Sequence, residues 1–150
     1  MPGFVEQIAI TPTESALPER VESVAAPAGQ GLVGDRYFLE RPEKRESGSD
    51  ITLIEAEALE AFTAETGIAL SHEESRRNIL TRGIGLNDLV GRRFRVGDVE
   101  CVGIELCEPC NHLQSLTRPG VLRGMVHRAG LNAEVVTGGT MAVGDEVEEL

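Results

Sequence analysis

The feature that most constrains this chain is its punctuation: short apolar runs are cut off again and again by Gly, Pro and Asp. Runs of this length suit β-strands better than long helices, and many of them along one chain favour a barrel or sandwich over a doubly wound α/β sheet. The expected strands are Val5–Thr11, Val21–Ala26, Ile51–Ile54, Asn78–Leu80, Arg93–Val96, Glu100–Glu105, Ala133–Val136, Thr140–Val143 and Glu146–Glu149. Two segments echo each other, Arg95-Val-Gly-Asp-Val99 and Ala142-Val-Gly-Asp-Glu146, each reading as strand, tight Gly-Asp turn, strand. Gly138-Gly139 is expected to supply a further hairpin turn. The fold class is therefore mostly β, a closed barrel with two or three short helices.

Helical signals are few. Thr52-Leu-Ile-Glu55 has capping-box spacing ahead of Ala56–Glu65, where Ala and Glu favour helix and Gly67 supplies a stop. A second helix is expected over Arg118–His127 with Thr117 as its N-cap, and a short helical turn at Asn87–Val90. Nothing in composition divides the 150 residues, which suit one domain, residues 1–150. The start of the chain carries neither a basic segment nor a long apolar run, so no signal peptide or membrane span is expected, and the cytoplasm is the expected compartment.

Charge narrows the partners. Fourteen basic residues against 25 acidic ones leave a formal charge of −11, which argues against nucleic acid and anionic membrane. With one Tyr, four Phe and no Trp there is also little to stack on bases. Yet Arg76, Arg77, Arg82, Arg92, Arg93 and Arg95 stand against the single acid Asp88, and Pro109–Ala133 contains no acid at all. Such clustering fits a local anion site, because guanidinium makes paired, charge-assisted bonds to phosphate. It equally fits arginines that pair with the many glutamates on the surface.

Three motifs could carry chemistry. Cys107-Glu-Pro-Cys110-Asn-His112 offers two thiols, and a thiolate is both nucleophile and soft-metal ligand. Catalytic or cofactor-ligating cysteines, a thioredoxin-like dithiol, a zinc site and an unremarkable strand-to-loop transition all remain open at this point. The odd cysteine count speaks against a secreted disulfide framework. Gly29-Gln-Gly31-Leu-Val-Gly34-Asp35-Arg36 is a glycine-rich loop suited to an anion cradle or to an ordinary barrel loop. Arg76-Arg77-Asn78 enters an apolar strand and sets polar donors beside it. Of the histidines, His72 is expected to be solvated among glutamates and His127 to close a helix, leaving His112 as the functional candidate.

Taken in order, these motifs resemble the MOSC family, named for the C-terminal domain of molybdenum cofactor sulfurase. The matching stretches are Gly31–Arg36, Ile51–Ala58, Arg76–Ile79, Leu89–Gly97, Glu108–Leu113 and Gly138–Asp145. The resemblance implies a stand-alone bacterial-type member with a MOSC, pyruvate-kinase-barrel-like fold and molybdenum cofactor (molybdopterin) held at the barrel mouth. It implies Cys110 as molybdenum ligand and catalytic residue; Cys107, three residues away, is a second catalytic candidate as the cysteine that would resolve a persulfide on Cys110. Gly34, Asp35, Arg36, Arg76, Arg77, Asn78 and His112 would bind the cofactor. Arg77 departs from the proline that some cofactor-binding relatives carry.

The resemblance implies two functions, an oxidoreductase module reducing N-oxygenated compounds or a sulfur carrier forming a persulfide on Cys110; the cysteines leave a third open, a non-enzymatic zinc- or partner-binding module. The expected partners are a small-molecule cofactor and substrate with an external electron or sulfur donor protein, and neither nucleic acid nor membrane. Pyridoxal phosphate is not expected, since the only lysine, Lys44, sits in a charged segment.

Overall fold

The computed structural model describes residues 2–13, 15–38 and 50–150; Lys44 lies outside them. Ten strands occur among these residues: β1 (Gly3–Ile10), β2 (Glu19–Val21), β3 (Ser23–Ala26), β4 (Ile51–Glu55), β5 (Ile79–Arg82), β6 (Arg93–Val96), β7 (Val99–Leu106), β8 (Leu131–Thr137), β9 (Gly139–Ala142) and β10 (Glu146–Glu149). Seven of them close a barrel in the order β10-β6-β7-β8-β4-β5-β1, with β1 returning to β10 through Gly3↔Val147 and Phe4↔Glu146. Beyond that closure β1 bends away and its second half pairs with β2. Neighbouring strands run antiparallel except β4 and β5, which are parallel and so need a crossover.

Four short helices complete the described residues: α1 (Ala56–Thr66), α2 (His72–Ser75), α3 (Asn111–Leu116) and α4 (Val121–Gly124), with a 3₁₀ turn at Leu86–Leu89. The crossover from β4 to β5 is made by α1 and α2. Gly67 ends α1 in the left-handed region, its N–H donating to Thr63 O at 2.8 Å. The expected capping box at Thr52–Glu55 does not form, because Thr52 belongs to β4 and the N-cap, Glu55, makes no side-chain cap bond. A capping box does form at α2, where Ser71 and Glu74 exchange bonds and fix a turn that hydrophobic periodicity alone is too short to reveal.

The helix expected over Arg118–His127 is a single turn. Thr117 does not start it but closes α3, its hydroxyl donating to Leu113 O at 2.8 Å. Gly120, with φ of 98°, then separates α3 from α4. The hairpin expected at Gly138-Gly139 is also absent: β9 leaves the barrel after β8 and pairs with β3 in a separate two-stranded sheet. The stretch Val21–Ala26 divides at Glu22 for the same reason, β2 following the barrel strand β1 and β3 pairing with β9.

Alternation decides where the apolar side chains go. Residues pointing inward, among them Ile8, Leu53, Ile79, Phe94, Val99 and Leu131, fill the barrel. A second cluster lies outside it, where Ile54 and Leu80 meet Phe62 of α1, Leu113 of α3, and Val121 and Met125 from α4 onward. Strand β4 is thus buried on both faces, and its unbroken apolar run reflects that. Phe62 is fully buried, worth about 2–3 kcal/mol by its apolar area alone. Only a residue without a side chain fits opposite it, since a Cβ on Gly124 would stand 2.3 Å from the ring.

Candidate functional site

A cleft of about 220 Å³ is lined by Arg36, Tyr37, Thr52, Arg76, Arg77, Cys107 and Asn132. Thr52 of β4 and Asn132 of β8 are directly opposed across the strand pair. Each lies between neighbours that point into the barrel: Ile51 and Leu53 for Thr52, Leu131 and Ala133 for Asn132. Both therefore face outward, so the cleft sits on the outer wall of the barrel rather than at its mouth. The loop after β3, the end of α2 and the loop after β7 form its sides.

Each arginine reaches the cleft differently. Arg76 closes α2 in the left-handed region (φ 65°), unusual for a residue with a side chain. Its guanidinium donates to the carbonyls of Ala16 (2.7 Å) and Thr13 (3.3 Å). Arg77 donates to the carbonyls of Ala129 (2.8 Å), Cys107 (3.3 Å) and Glu108 (3.3 Å), tying the cysteine loop to the entrance of β5. Arg36 lies 4.5 Å from the ring centre of Tyr37, a cation–π stack. None of the seven lining residues is an acid. Burial, and then the like charge of Arg36, pull the Arg76 pKa below the ordinary guanidinium value.

The remaining arginines of the basic stretch behave as solvated partners of glutamate. Arg82 pairs with Glu6 and Glu60, Arg92 with Glu149, Arg93 with Glu100, and Arg95 with Glu146 and Glu148. Arg118 and Arg128 pair with Glu74 and Glu65. Sequence clustering thus mixed two populations: one that neutralises surface acids, and one, Arg36 with Arg76 and Arg77, that converges on a cleft.

The three cysteines are free thiols in three environments. Cys101 is fully buried inside the barrel, where desolvation pushes its thiol up to about 12. Cys107 lines the cleft, and burial raises its thiol above the ordinary value while the Arg77 charge opposes that shift. Cys110 is exposed at the N-cap of α3, with Leu113 N–H donating to its sulfur at 3.5 Å. The two cysteines of the motif therefore divide: Cys107 in the wall, Cys110 on the surface three residues along.

Other sequence candidates stand apart from the cleft lining. Asn78 is buried, its carboxamide accepting from Thr52 N–H and Thr52 hydroxyl (both 3.1 Å) and donating to Ala9 O (3.2 Å). It joins β4 to β1 behind the cleft. Asp35 is buried and accepts from Thr11 N–H at 3.1 Å, holding the glycine loop in place. Gly34 takes a φ of 93° in that loop. The loop's N–H groups at Gly29, Gln30, Val33, Asp35 and Arg36 donate to carbonyls of the protein itself, and of its side chains Arg36 and Tyr37 reach the cleft. His112 is exposed on α3.

Two histidine expectations need correction. His72 is not solvated but 4 % exposed, and burial lowers its pKa to about 4. Its neighbours in sequence are glutamates, but α2 packs this side chain inward against β1, where Gln7 meets its Nδ1 at 2.7 Å. His127 lies beyond α4 at a left-handed φ of 63° and binds Glu108 through Nδ1 at 2.6 Å.

Tyr37, Thr52 and Asn132 were missed as site residues. A signal for Asn132 existed, since it is a polar residue between apolar neighbours at the end of the acid-free stretch. No signal distinguished Thr52 from any other strand threonine. Among the described residues no group of three His, Cys, Asp or Glu side chains could hold a metal ion. No helix among them is long and apolar enough to cross a membrane.

Residues 40–148 match the family profile described as the MOSC domain. No curated protein matches the sequence. Among solved structures, the YuaD protein of Bacillus subtilis superposes with a TM-score of 0.82 at 18% identity, over 98% of this chain and 94% of that one. YiiM from Geobacillus stearothermophilus gives 0.77 at 14% identity, over 99% and 75% of the two chains. YiiM from Escherichia coli gives 0.67 at 16% identity, over 100% and 70%. At these identities the likeness is one of fold.

Proposed function

This chain belongs to the MOSC domain family, a family associated with molybdenum cofactor, and from that premise we propose that it binds the cofactor in the Arg36–Arg76–Arg77 cleft and reduces N-oxygenated compounds. The observation that carries the reading is the convergence of three guanidiniums, with no acid in the lining, on a cleft whose wall includes Cys107, three residues before the exposed Cys110. The residues fit the group chemically: a phosphate calls for guanidinium, a heterocycle for carboxamide and a flat stacked surface, and molybdenum for a soft sulfur ligand.

Arg36, Arg76 and Arg77 would hold the phosphate, and Cys110 would present its sulfur to the metal. The two-electron chemistry would be supplied by the bound molybdenum. What the chain itself contributes is binding and orientation. Arg77 fixes the cysteine loop through the carbonyls of Cys107 and Glu108, and the exposure of Cys110 leaves the sulfur open to solvent and substrate. Electrons would come from a separate donor protein.

The test is elemental analysis for molybdenum and zinc, with the fluorescence of oxidised pterin, on protein purified from a host that makes the cofactor. Molybdenum and pterin near one per chain are expected in the wild type. Cys110→Ala should lose the metal, and Arg36→Ala should lose both while remaining folded, since Arg36 makes no ion pair among the described residues. Wild-type protein free of molybdenum and pterin would refute the reading.

The exposure of Cys110 beside a second free thiol favours one alternative, a sulfur carrier. The Cys110 thiolate would attack the outer sulfur of a donor persulfide, the donor leaving as thiolate. Cys107 could then attack the inner sulfur, releasing hydrosulfide and forming a disulfide, but burial raises its thiol above the ordinary value, which slows that step. Mass spectrometry of Cys110 for one added sulfur, retained in Cys107→Ala, tests this reading.

A further inference from the structure

We propose that Asn132 determines which heterocycle the cleft accepts, by pairing its carboxamide with the polar edge of a planar ligand. The inference rests on the cofactor-binding reading above and gives it a residue that reads the ring rather than the phosphate.

Three observations lead to Asn132. It lines the cleft, directly opposite Thr52 on the neighbouring strand. Its side chain makes no hydrogen bond among the described residues, whereas the neutral polar side chains next to it are engaged within the wall. The Thr52 hydroxyl donates to Asn78 Oδ1 and accepts from Asn78 N–H, and the Asn78 carboxamide is itself engaged with Thr52 and Ala9. Asn132 is thus an uncommitted carboxamide, offering one acceptor and two donor hydrogens, on the floor of a cationic cleft.

Its setting selects the ligand class. The backbone of Asn132 is clamped between β4 and β7, so the carboxamide stands on rigid strand rather than on a loop. The Arg36–Tyr37 stack supplies a flat cationic surface on the same cleft. A planar heterocycle with an adjacent donor and acceptor on its edge, bearing an anionic substituent for the guanidiniums, matches both. A purely anionic ligand would use the carboxamide N–H donors but leave its acceptor oxygen without a partner.

The experiment separates ring from phosphate. Full-length apo protein is titrated with 6-hydroxymethylpterin, followed by pterin fluorescence, and separately with inorganic phosphate by calorimetry. Wild type, Asn132→Ala, Asn132→Asp and Arg36→Ala are compared. Asn132→Ala is expected to weaken pterin binding by about tenfold while leaving phosphate affinity and melting temperature unchanged. Arg36→Ala should weaken phosphate. A merely structural role for Asn132 would move both ligands together, and that result overturns the proposal. Asn132→Asp, which keeps the shape and removes the donor, should also lose pterin affinity; unchanged pterin binding in both Asn132 variants overturns the proposal while the cofactor reading stands. Wild-type protein that binds no pterin overturns both.

Discussion

Replacing Asn78 with alanine distinguishes a wall residue from a ligand anchor, because the two roles predict opposite stabilities for the ligand-free protein. The side chain is 2 % exposed and makes three hydrogen bonds: from Thr52 N–H and Thr52 hydroxyl to its oxygen, and from its amide to Ala9 O. Each is worth about 1 kcal/mol net, and a buried partner left without a substitute costs about 1–3 kcal/mol. Thr52 N–H faces that loss most directly, since β4 is buried on both sides at this point. The sum is about 3–5 kcal/mol, and at roughly 2–4 °C per kcal/mol for a chain of this size the melting temperature should fall by about 10 °C. Urea unfolding of apo protein at pH 7, followed by circular dichroism, measures it. If Asn78→Ala leaves apo stability within about 0.5 kcal/mol of wild type and abolishes ligand retention instead, the wall assignment is refuted.

Two further predictions concern buried titratable groups. His72, with its pKa held near 4 by burial against an ordinary 6.5, stays neutral in the folded chain while the unfolded chain protonates. Stability from this residue is fully present above about pH 6.5 and is lost as pH falls toward 4, amounting to about 2 kcal/mol at pH 5. Glu73 and Arg20 act on the same ring with opposite signs, so the comparison is urea midpoints of wild type and His72→Gln at pH 7 and pH 5. Equal slopes in the two proteins would sink the assignment. The cysteines should react with a disulfide reagent in the order of their burial: Cys110 at once, Cys107 slowly, and Cys101, whose thiol is pushed up to about 12, only after unfolding. Native labelling of Cys101, located by peptide mapping, would contradict its place in the barrel core.

Much of the barrel was legible in the sequence because strand alternation and glycine punctuation are local properties. β6 and β10 fall on their expected residues, and β1, β4, β7 and β8 within a few residues at their ends. α1 and its Gly67 stop were equally readable, since propensity and the left-handed cap act within one turn of helix. The motif order was enough to identify the family. What the local pattern could not supply was which segments pair: Gly138-Gly139 reads as a hairpin, but whether β9 returns to β8 or crosses to β3 depends on strands more than a hundred residues away.

The site divides in the same way. The sequence by itself determined that the chain carries a cluster of arginines, an acid-free stretch and a pair of cysteines three residues apart. Only the tertiary structure decided which arginines are neutralised by glutamate and which meet at a cleft, because that depends on the distance between charges brought together by folding. It also decided that Asn78 is consumed in the wall while Asn132, with the same side chain, makes no side-chain hydrogen bond among the described residues. A carboxamide's role is set by the partners within about 3 Å of it, and those partners are chosen by strand register, not by neighbours in the chain.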